Sequence, residues 1–172
     1  PVYSFSNIML SYFKLFTRAK EKLYITNPYF IPNETILDAL KQAALSRVDV
    51  RLLLPKESDS ALVGAAASFY FKPLLRCGVK IYLYTKGFVH AKTVVADGRV
   101  SVVGTANMDI RSFDLNFEIM SVIYSKAFGA EMERLFLEDL KDSEHITLTE
   151  WNDQSSLKFL TYATARLVSS LL

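Results

Sequence analysis

Cysteine occurs once in 172 residues, at Cys77. That excludes a disulfide framework and any cysteine-rich zinc site, and it leaves a reducing compartment as the simplest setting. Histidine occurs twice, at His90 and His145, so imidazole chemistry has two residues to draw on. A dominant charge is also missing. Twenty Lys and Arg against eighteen Asp and Glu leave +2, which neither demands nor forbids a nucleic acid or an anionic membrane as partner. The longest nearly uninterrupted apolar run, Ala61 to Phe71, is closed by Lys72 and Pro73. It is too short to cross a bilayer as a helix, which needs roughly 20 residues. The start lacks a basic region followed by an apolar one and a small-residue cleavage site, so no signal peptide is read there. Because the chain opens on Pro1 and not Met, it is expected to be a cut piece of a longer polypeptide. What is present is hydrophobic: 51% of residues, with 12 Phe and 9 Tyr, which excludes a disordered chain. Residues 1–172 show no repeat, coiled coil or linker and are read as one domain.

Periodicity predicts a helix over 4–20, with Phe5, Ile8, Met9, Tyr12, Phe13 and Phe16 at helical spacing. A strand over Lys22–Thr26 and a proline-punctuated loop over Asn27–Pro32 follow. Asn33 caps the next helix, which buries Ile36, Leu37, Leu40 and Ala44. A buried strand over Val48–Leu54 stops at Pro55. One of Ser58, Asp59 and Ser60 caps a helix that runs to Cys77, is kinked by Pro73 or broken there near its last turn, and is terminated by Gly78. Val79–Tyr84 is the third strand. This alternation predicts an α/β fold with a largely parallel sheet. Three further strands, His90–Ala96, Val100–Val103 and Leu115–Tyr124, follow with short turns, the first being Asp97-Gly98, and should make the sheet mixed. A helix over Ala127–Lys141 directs Met132, Leu135, Phe136 and Leu140 inward. After an irregular stretch from Ile146 to Asp153, a last helix starts near Ser155 with Leu157, Leu160, Leu167, Val168 and Leu171 on its apolar side. The two terminal helices are expected to bury these sides within protein and not in a bilayer.

Chemistry concentrates between residues 87 and 118. In a strand, His90 and Lys92 share one side. An ammonium beside an imidazole offsets the charge of a phosphate and disfavours protonation of the ring. Gly104-Thr105-Ala106-Asn107 follows a strand, where a glycine lets backbone and short polar groups close around an anion. Asn107 can donate an N–H, and Thr105 a hydroxyl, to phosphoryl oxygens. Glu118 lies between Phe117 and Ile119 and needs a partner, for which the ring N–H of a catalytic histidine would serve. Asp109 and Arg111 are read as a structural salt bridge bracing the loop. His145, in a polar stretch, is read as solvated.

The spacing His90-x-Lys92-x4-Asp97-x6-Gly104-Thr105-x-Asn107 resembles the HKD motif of the phospholipase D superfamily. The wider run Gly87-Phe88-Val89-His90 through Ser112-Phe113, then Leu115-Asn116-Phe117-Glu118, resembles the C-terminal half of the bacterial cardiolipin synthases. So do Asn27-Pro28-Tyr29-Phe30-Ile31-Pro32 and Cys77-Gly78-Val79-Lys80-Ile81-Tyr82. The resemblance implies a phospholipase D-like domain, an α/β mixed sheet flanked by helices. It implies that His90 attacks a phosphodiester or protonates the leaving alcohol. Lys92 and Asn107 would bind the phosphoryl oxygens, and Thr105 would support that pocket. Glu118 would hold His90 through its other ring nitrogen. Asp97, Gly104, Asp109 and Arg111 would support the motif, and Tyr29 and Phe30 would line substrate access. No metal and no cofactor are implied.

The implied reaction is transesterification. One phosphatidylglycerol forms a phosphatidyl–histidine with loss of glycerol, and a second phosphatidylglycerol takes the phosphatidyl group. This family pattern has two HKD motifs, and the chain carries one. The partner is therefore either a missing N-terminal HKD half or a second copy of the chain, with His90 meeting its mate across a twofold axis. The implied location is a bacterial membrane, on its cytoplasmic side. Two alternatives stand beside this reading. One is a homodimeric phosphodiesterase acting on nucleic acid, disfavoured by the near-neutral charge. The other is a non-catalytic module, which the intact His90, Lys92, Asn107 and Glu118 argue against.

Overall fold

The computed structural model describes residues 7–169; Phe5 and Leu171 lie outside them. Helix α1 (Asn7–Arg18) leads into strand β1 (Lys22–Thr26) and a two-residue strand β2 (Phe30–Ile31). Helix α2 (Glu34–Leu45) and strand β3 (Asp49–Pro55) follow, then helices α3 (Ala61–Phe69) and α4 (Phe71–Arg76) and strand β4 (Lys80–Tyr84). Strands β5 (Thr93–Ala96) and β6 (Val100–Gly104) form a hairpin, after which come the short β7 (Met108–Asp109) and α5 (Ile110–Asp114). Strand β8 (Met120–Tyr124), helix α6 (Lys126–Asp139), strand β9 (Ser143–Ile146) and helices α7 (Leu148–Asn152) and α8 (Ser156–Ser169) complete the chain.

Seven strands make one mixed sheet in the order β8-β6-β5-β1-β3-β4-β9. Its centre, β1-β3-β4, is parallel, and the flanking pairs are antiparallel. The parallel centre comes from helical crossovers, because parallel neighbours cannot be joined by a tight turn. One sheet face carries Leu23, Ile25, Val50, Leu52, Ile81 and Val94 into the main core, packed against the helices of that side. The other carries Tyr24, Leu53 and Val95 against Phe136 of α6, with the Tyr24 and Phe136 rings stacked at 4.9 Å. This is period-two alternation along each strand.

Local chemistry sets the boundaries. Asn33 accepts from the Ile36 N–H at 3.0 Å and starts α2. Among the three candidate caps for α3, Ser60 takes the role through the Val63 N–H. Of the expected kink or break in the helix to Cys77, the structure has a break, and it falls at Tyr70, ahead of Pro73. A proline ring collides with the carbonyl four residues back, here that of Phe69, and α3 ends on that residue. In α4 Pro73 stands in the first turn, where a missing N–H costs nothing. Gly78, at φ 94°, closes α4. Asp97 and Gly98, at φ 53° and 59°, form the hairpin turn of β5 and β6.

Several expectations are corrected. The strand expected from His90 starts only at Thr93, because its neighbour β1 ends at Thr26 and Pro28 beyond it offers no N–H. The strand expected from Leu115 starts at Met120, since α5 and an irregular stretch occupy the residues before it. The Asn27–Pro32 loop contains β2, which pairs in parallel with β7. The stretch Ile146–Asp153 is ordered: β9 pairs with β4, and a capping box of Thr147 and Glu150 starts α7, which buries Trp151. Leu135 is exposed on α6. On α8, Leu157, Leu160, Leu167 and Val168 face outward, while Phe159, Tyr162 and Ala165 pack inward.

Candidate active site

Of the motif residues, His90 and Lys92 precede β5 while Thr105 and Asn107 follow β6, and the Gly104 N–H joins the two segments by donating to the Lys92 carbonyl at 3.2 Å. Lys92 directly precedes β5 and is only 8% exposed. Its Nζ donates to the backbone carbonyl of His90 at 2.8 Å. Burial lowers its pKa, and the carboxylates of Glu118 and Asp109 offset part of that. No carboxylate forms an ion pair with it among the described residues.

His90 is exposed and sits in an irregular segment after Gly87, whose φ of 121° a side-chain-bearing residue rarely adopts. Two aromatic rings flank its imidazole: Phe88 at 5.3 Å, tilted, and Tyr29 at 6.0 Å, edge to face at 84°. The Tyr29 hydroxyl donates to Asp59 Oδ2 at 2.5 Å. Burial first, and then that hydrogen bond, push the Tyr29 phenol up to about 12.

Glu118 and Thr105 come together, the Thr105 hydroxyl donating to Glu118 Oε2. Asn116 Nδ2 also donates to Glu118, at 3.3 Å. Thr105 Oγ1 in turn accepts from the Ile119 N–H at 3.0 Å. The expected contact from Glu118 to the His90 ring is not made in this structure, where the carboxylate is held by Thr105 and Asn116.

Gly104 is required for a reason other than cradling an anion: a Cβ there would stand 2.6 Å from the Ile119 carbonyl oxygen. Asn107 donates its backbone N–H to Ser112 Oγ at 3.1 Å. Asp109 braces the loop as the cap of α5, accepting from the Ser112 N–H at 2.7 Å, in place of the expected ion pair with Arg111.

Asp97 stands at the far end of β5 from Lys92. Its carboxylate accepts from the backbone N–H groups of Lys20, Glu21 and Lys22 at 2.8–3.2 Å, tying the hairpin turn to the α1–β1 loop. Phe30 does not line any access route, being fully buried edge-on to Tyr70. His145 is exposed on β9, stacked on Tyr82 at 4.8 Å and at the opposite edge of the sheet from the motif.

Sequence reasoning missed Asn27. It is fully buried, and its Oδ1 accepts from the N–H groups of Met108 (3.1 Å) and Tyr29 (3.3 Å). It thus fastens the segment bearing Asn107 to the one bearing Tyr29. The signal was an Asn before Pro at a strand end, which reads equally well as an ordinary turn. A cavity of about 550 Å³ opens beside the cluster, with Tyr29 and Asn107 in its wall.

The chain is 47% identical to a cardiolipin synthase of Clostridium perfringens over all 172 residues, and it spans 36% of that relative's length. A solved phospholipase D family member, Nuc from Salmonella typhimurium, superposes with a TM-score of 0.71 at 16% identity, over 80% of this chain and 90% of that one. The phosphatidylserine synthase of Haemophilus influenzae gives a TM-score of 0.66 at 18% identity, over 92% of this chain and 41% of that one. These two structures share the fold. The family profile described as cardiolipin synthase, PLD-like domain matches residues 12–140. Carrying that domain with the whole spaced motif, the chain belongs to the PLD-like family of the cardiolipin synthases.

Proposed function

We propose that this chain supplies one catalytic half of an enzyme that makes cardiolipin from two molecules of phosphatidylglycerol. The observation that carries the reading is Lys92. A buried ammonium whose only hydrogen-bond partner among the described side-chain contacts is a carbonyl is costly by itself. It is stabilised when a phosphodiester anion docks beside it. His90 then attacks phosphorus through a ring nitrogen, forming the nitrogen–phosphorus bond as the bond to the glycerol oxygen breaks. Lys92 and Asn107 hold the phosphoryl oxygens. Thr105 and Glu118 support the pocket wall, and docking of substrate can redirect Glu118 toward the His90 ring. The leaving alkoxide needs a proton from the opposite side of phosphorus. In the proposed pairing that proton comes from the histidine of a second motif, in the part of a longer chain that the relatives possess. A twofold dimer of this chain would present His90 twice and serve the same geometry.

Exposed Leu115, Phe117 and Ile119 beside the motif give either partner an apolar surface to cover. No helix among the described residues is long and apolar enough to cross a membrane. A two-chain lipid must still reach His90 from a bilayer, so the reading places the site at a bacterial membrane surface. The single free cysteine suits the reducing cytoplasmic side.

The test is conversion of glycerol-labelled phosphatidylglycerol by the intact enzyme. Equal release of glycerol and formation of cardiolipin are expected, with an acid-labile phosphatidyl group trapped on histidine and both reactions lost in His90→Ala. Cleavage of DNA in place of lipid transfer would sink the proposal.

A further inference from the structure

The cavity beside His90 has walls of two kinds. Arg111 on α5 and Arg166 on α8 line it, as do Asp59 and Asn116. Ile110 and Leu115 supply apolar wall. Arg166 is oriented by its surroundings: its guanidinium lies over Phe69 at 5.0 Å and Tyr70 at 5.8 Å, its Nε donates to the Tyr70 hydroxyl at 3.3 Å, and Glu34 is 3.6 Å away. The fourth charged wall residue, Asp109, has its carboxylate committed to capping α5.

None of these groups belongs to the transferred phosphate, which Lys92 and Asn107 serve. Asn107 and Tyr29 stand in both places, so the cavity begins where the reacting phosphate ends. In a product with two phosphates on one glycerol, the acceptor's own phosphodiester sits one glycerol length from the reacting phosphorus. A planar guanidinium suits such a diester anion, and carboxylates and amides suit the hydroxyls of a polyol.

We propose that this cavity is the acceptor subsite, which takes the phosphoglycerol head group of the second lipid. Arg111 and Arg166 hold its phosphodiester, and Asp59 and Asn116 hold its glycerol hydroxyls. This rests on the synthase reading above. In the second step the acceptor's hydroxyl oxygen bonds to phosphorus as the phosphorus–nitrogen bond breaks. The bonding pair returns to the ring of His90, and the hydroxyl proton passes to the base on the opposite side.

Glycerol itself separates the two ideas, because it is an acceptor alcohol without a phosphate. In the intact enzyme, exchange of labelled glycerol into phosphatidylglycerol uses His90, the opposing acid–base group and the donor site but no acceptor phosphate, whereas cardiolipin formation also uses the acceptor's phosphate. Arg111→Gln and Arg166→Gln are each expected to lower cardiolipin formation about tenfold more than glycerol exchange. Arg111→Lys, which keeps the charge, is expected to restore part of that ratio. Surviving exchange in each variant reports a folded enzyme. If both reactions fall by the same factor, or neither falls, the acceptor subsite lies elsewhere. Absence of glycerol exchange in the unaltered enzyme, or its persistence in His90→Ala, would instead overturn the synthase reading.

Discussion

The two edges of the sheet are built differently. Strand β9 is short, carries Glu144 and His145, pairs Glu144 with Lys56 across the surface, and is followed by a capped helix whose Trp151 reaches the core. Strand β8, at the other edge, exposes Val122 and Tyr124, and the stretch before it exposes Leu115, Phe117 and Ile119. Charged side chains on a short edge strand are the usual protection against unwanted pairing. The β9 edge has that protection and the β8 edge does not. The motif lies on the β8 side, between β5 and the exposed stretch. The candidate site and the exposed apolar surface therefore coincide, as the proposed completion by a partner requires.

The contrast can be broken most sharply through the two histidines. His90→Ala on the motif side should reduce lipid transfer by at least about 10³-fold, as expected for loss of a covalent nucleophile. His145→Ala at the opposite edge should leave the rate within about twofold in the same assay. Comparable losses in both would erase the difference between the edges.

A stability comparison comes next. Gly129 of α6 lies against the turn of the β5–β6 hairpin, and a Cβ there would stand 2.4 Å from the Gly98 carbonyl oxygen. Gly129→Ala should cost about 2–3 kcal/mol in urea unfolding. Asp97→Ala removes the acceptor of three backbone N–H groups and should cost about 1–2 kcal/mol.

The latter loss has a pH signature. Burial raises the Asp97 pKa, but the amides of Lys22, Glu21 and Lys20 outweigh it and the net shift is downward. A carboxyl lowered on folding stabilises fully above its unfolded pKa of about 3.9 and progressively less as pH falls through its folded value. The unfolding midpoints of the unaltered chain and Asp97→Ala should therefore converge in acid. A gap independent of pH would show that the carboxylate charge is not what matters.

The smallest effect on folding is expected at Phe117, which is fully exposed. Phe117→Ser should change unfolding stability by less than about 0.5 kcal/mol. It should still weaken whatever association sedimentation detects, because it removes apolar area from the unprotected edge.

Against this background, the parallel centre was the more legible part of the sequence. Apolar runs there are bounded by Asn33, Pro55 and Gly78, whose effects are local and unambiguous. The motif spacing likewise singled out His90, Lys92, Thr105 and Asn107 as candidates, and a backbone hydrogen bond from Gly104 to Lys92 joins the two segments that carry them. What escaped depends on neighbours distant in sequence. Whether His90 lies in a strand is decided by where β1 stops, and Phe30 is buried because β7 arrives beside it from nearly eighty residues downstream. The side of α8 that faces inward depends on α3, and its leucines outnumber the aromatics that actually pack. Asn27 is the clearest case, since its importance rests on an N–H donor at Met108 that no local pattern announces.

The hydrogen bond from Lys92 to the carbonyl of His90 closes a small ring, part covalent and part not, through two adjacent peptide units. The backbone of His90 and the ammonium of Lys92 are therefore links of one loop. A change that displaces the backbone at position 90 drags the ammonium with it, so the pair tolerates rigid-body movement when a partner docks but not separate adjustment. Such a unit can be carried into a site assembled from two pieces with its internal alignment already set.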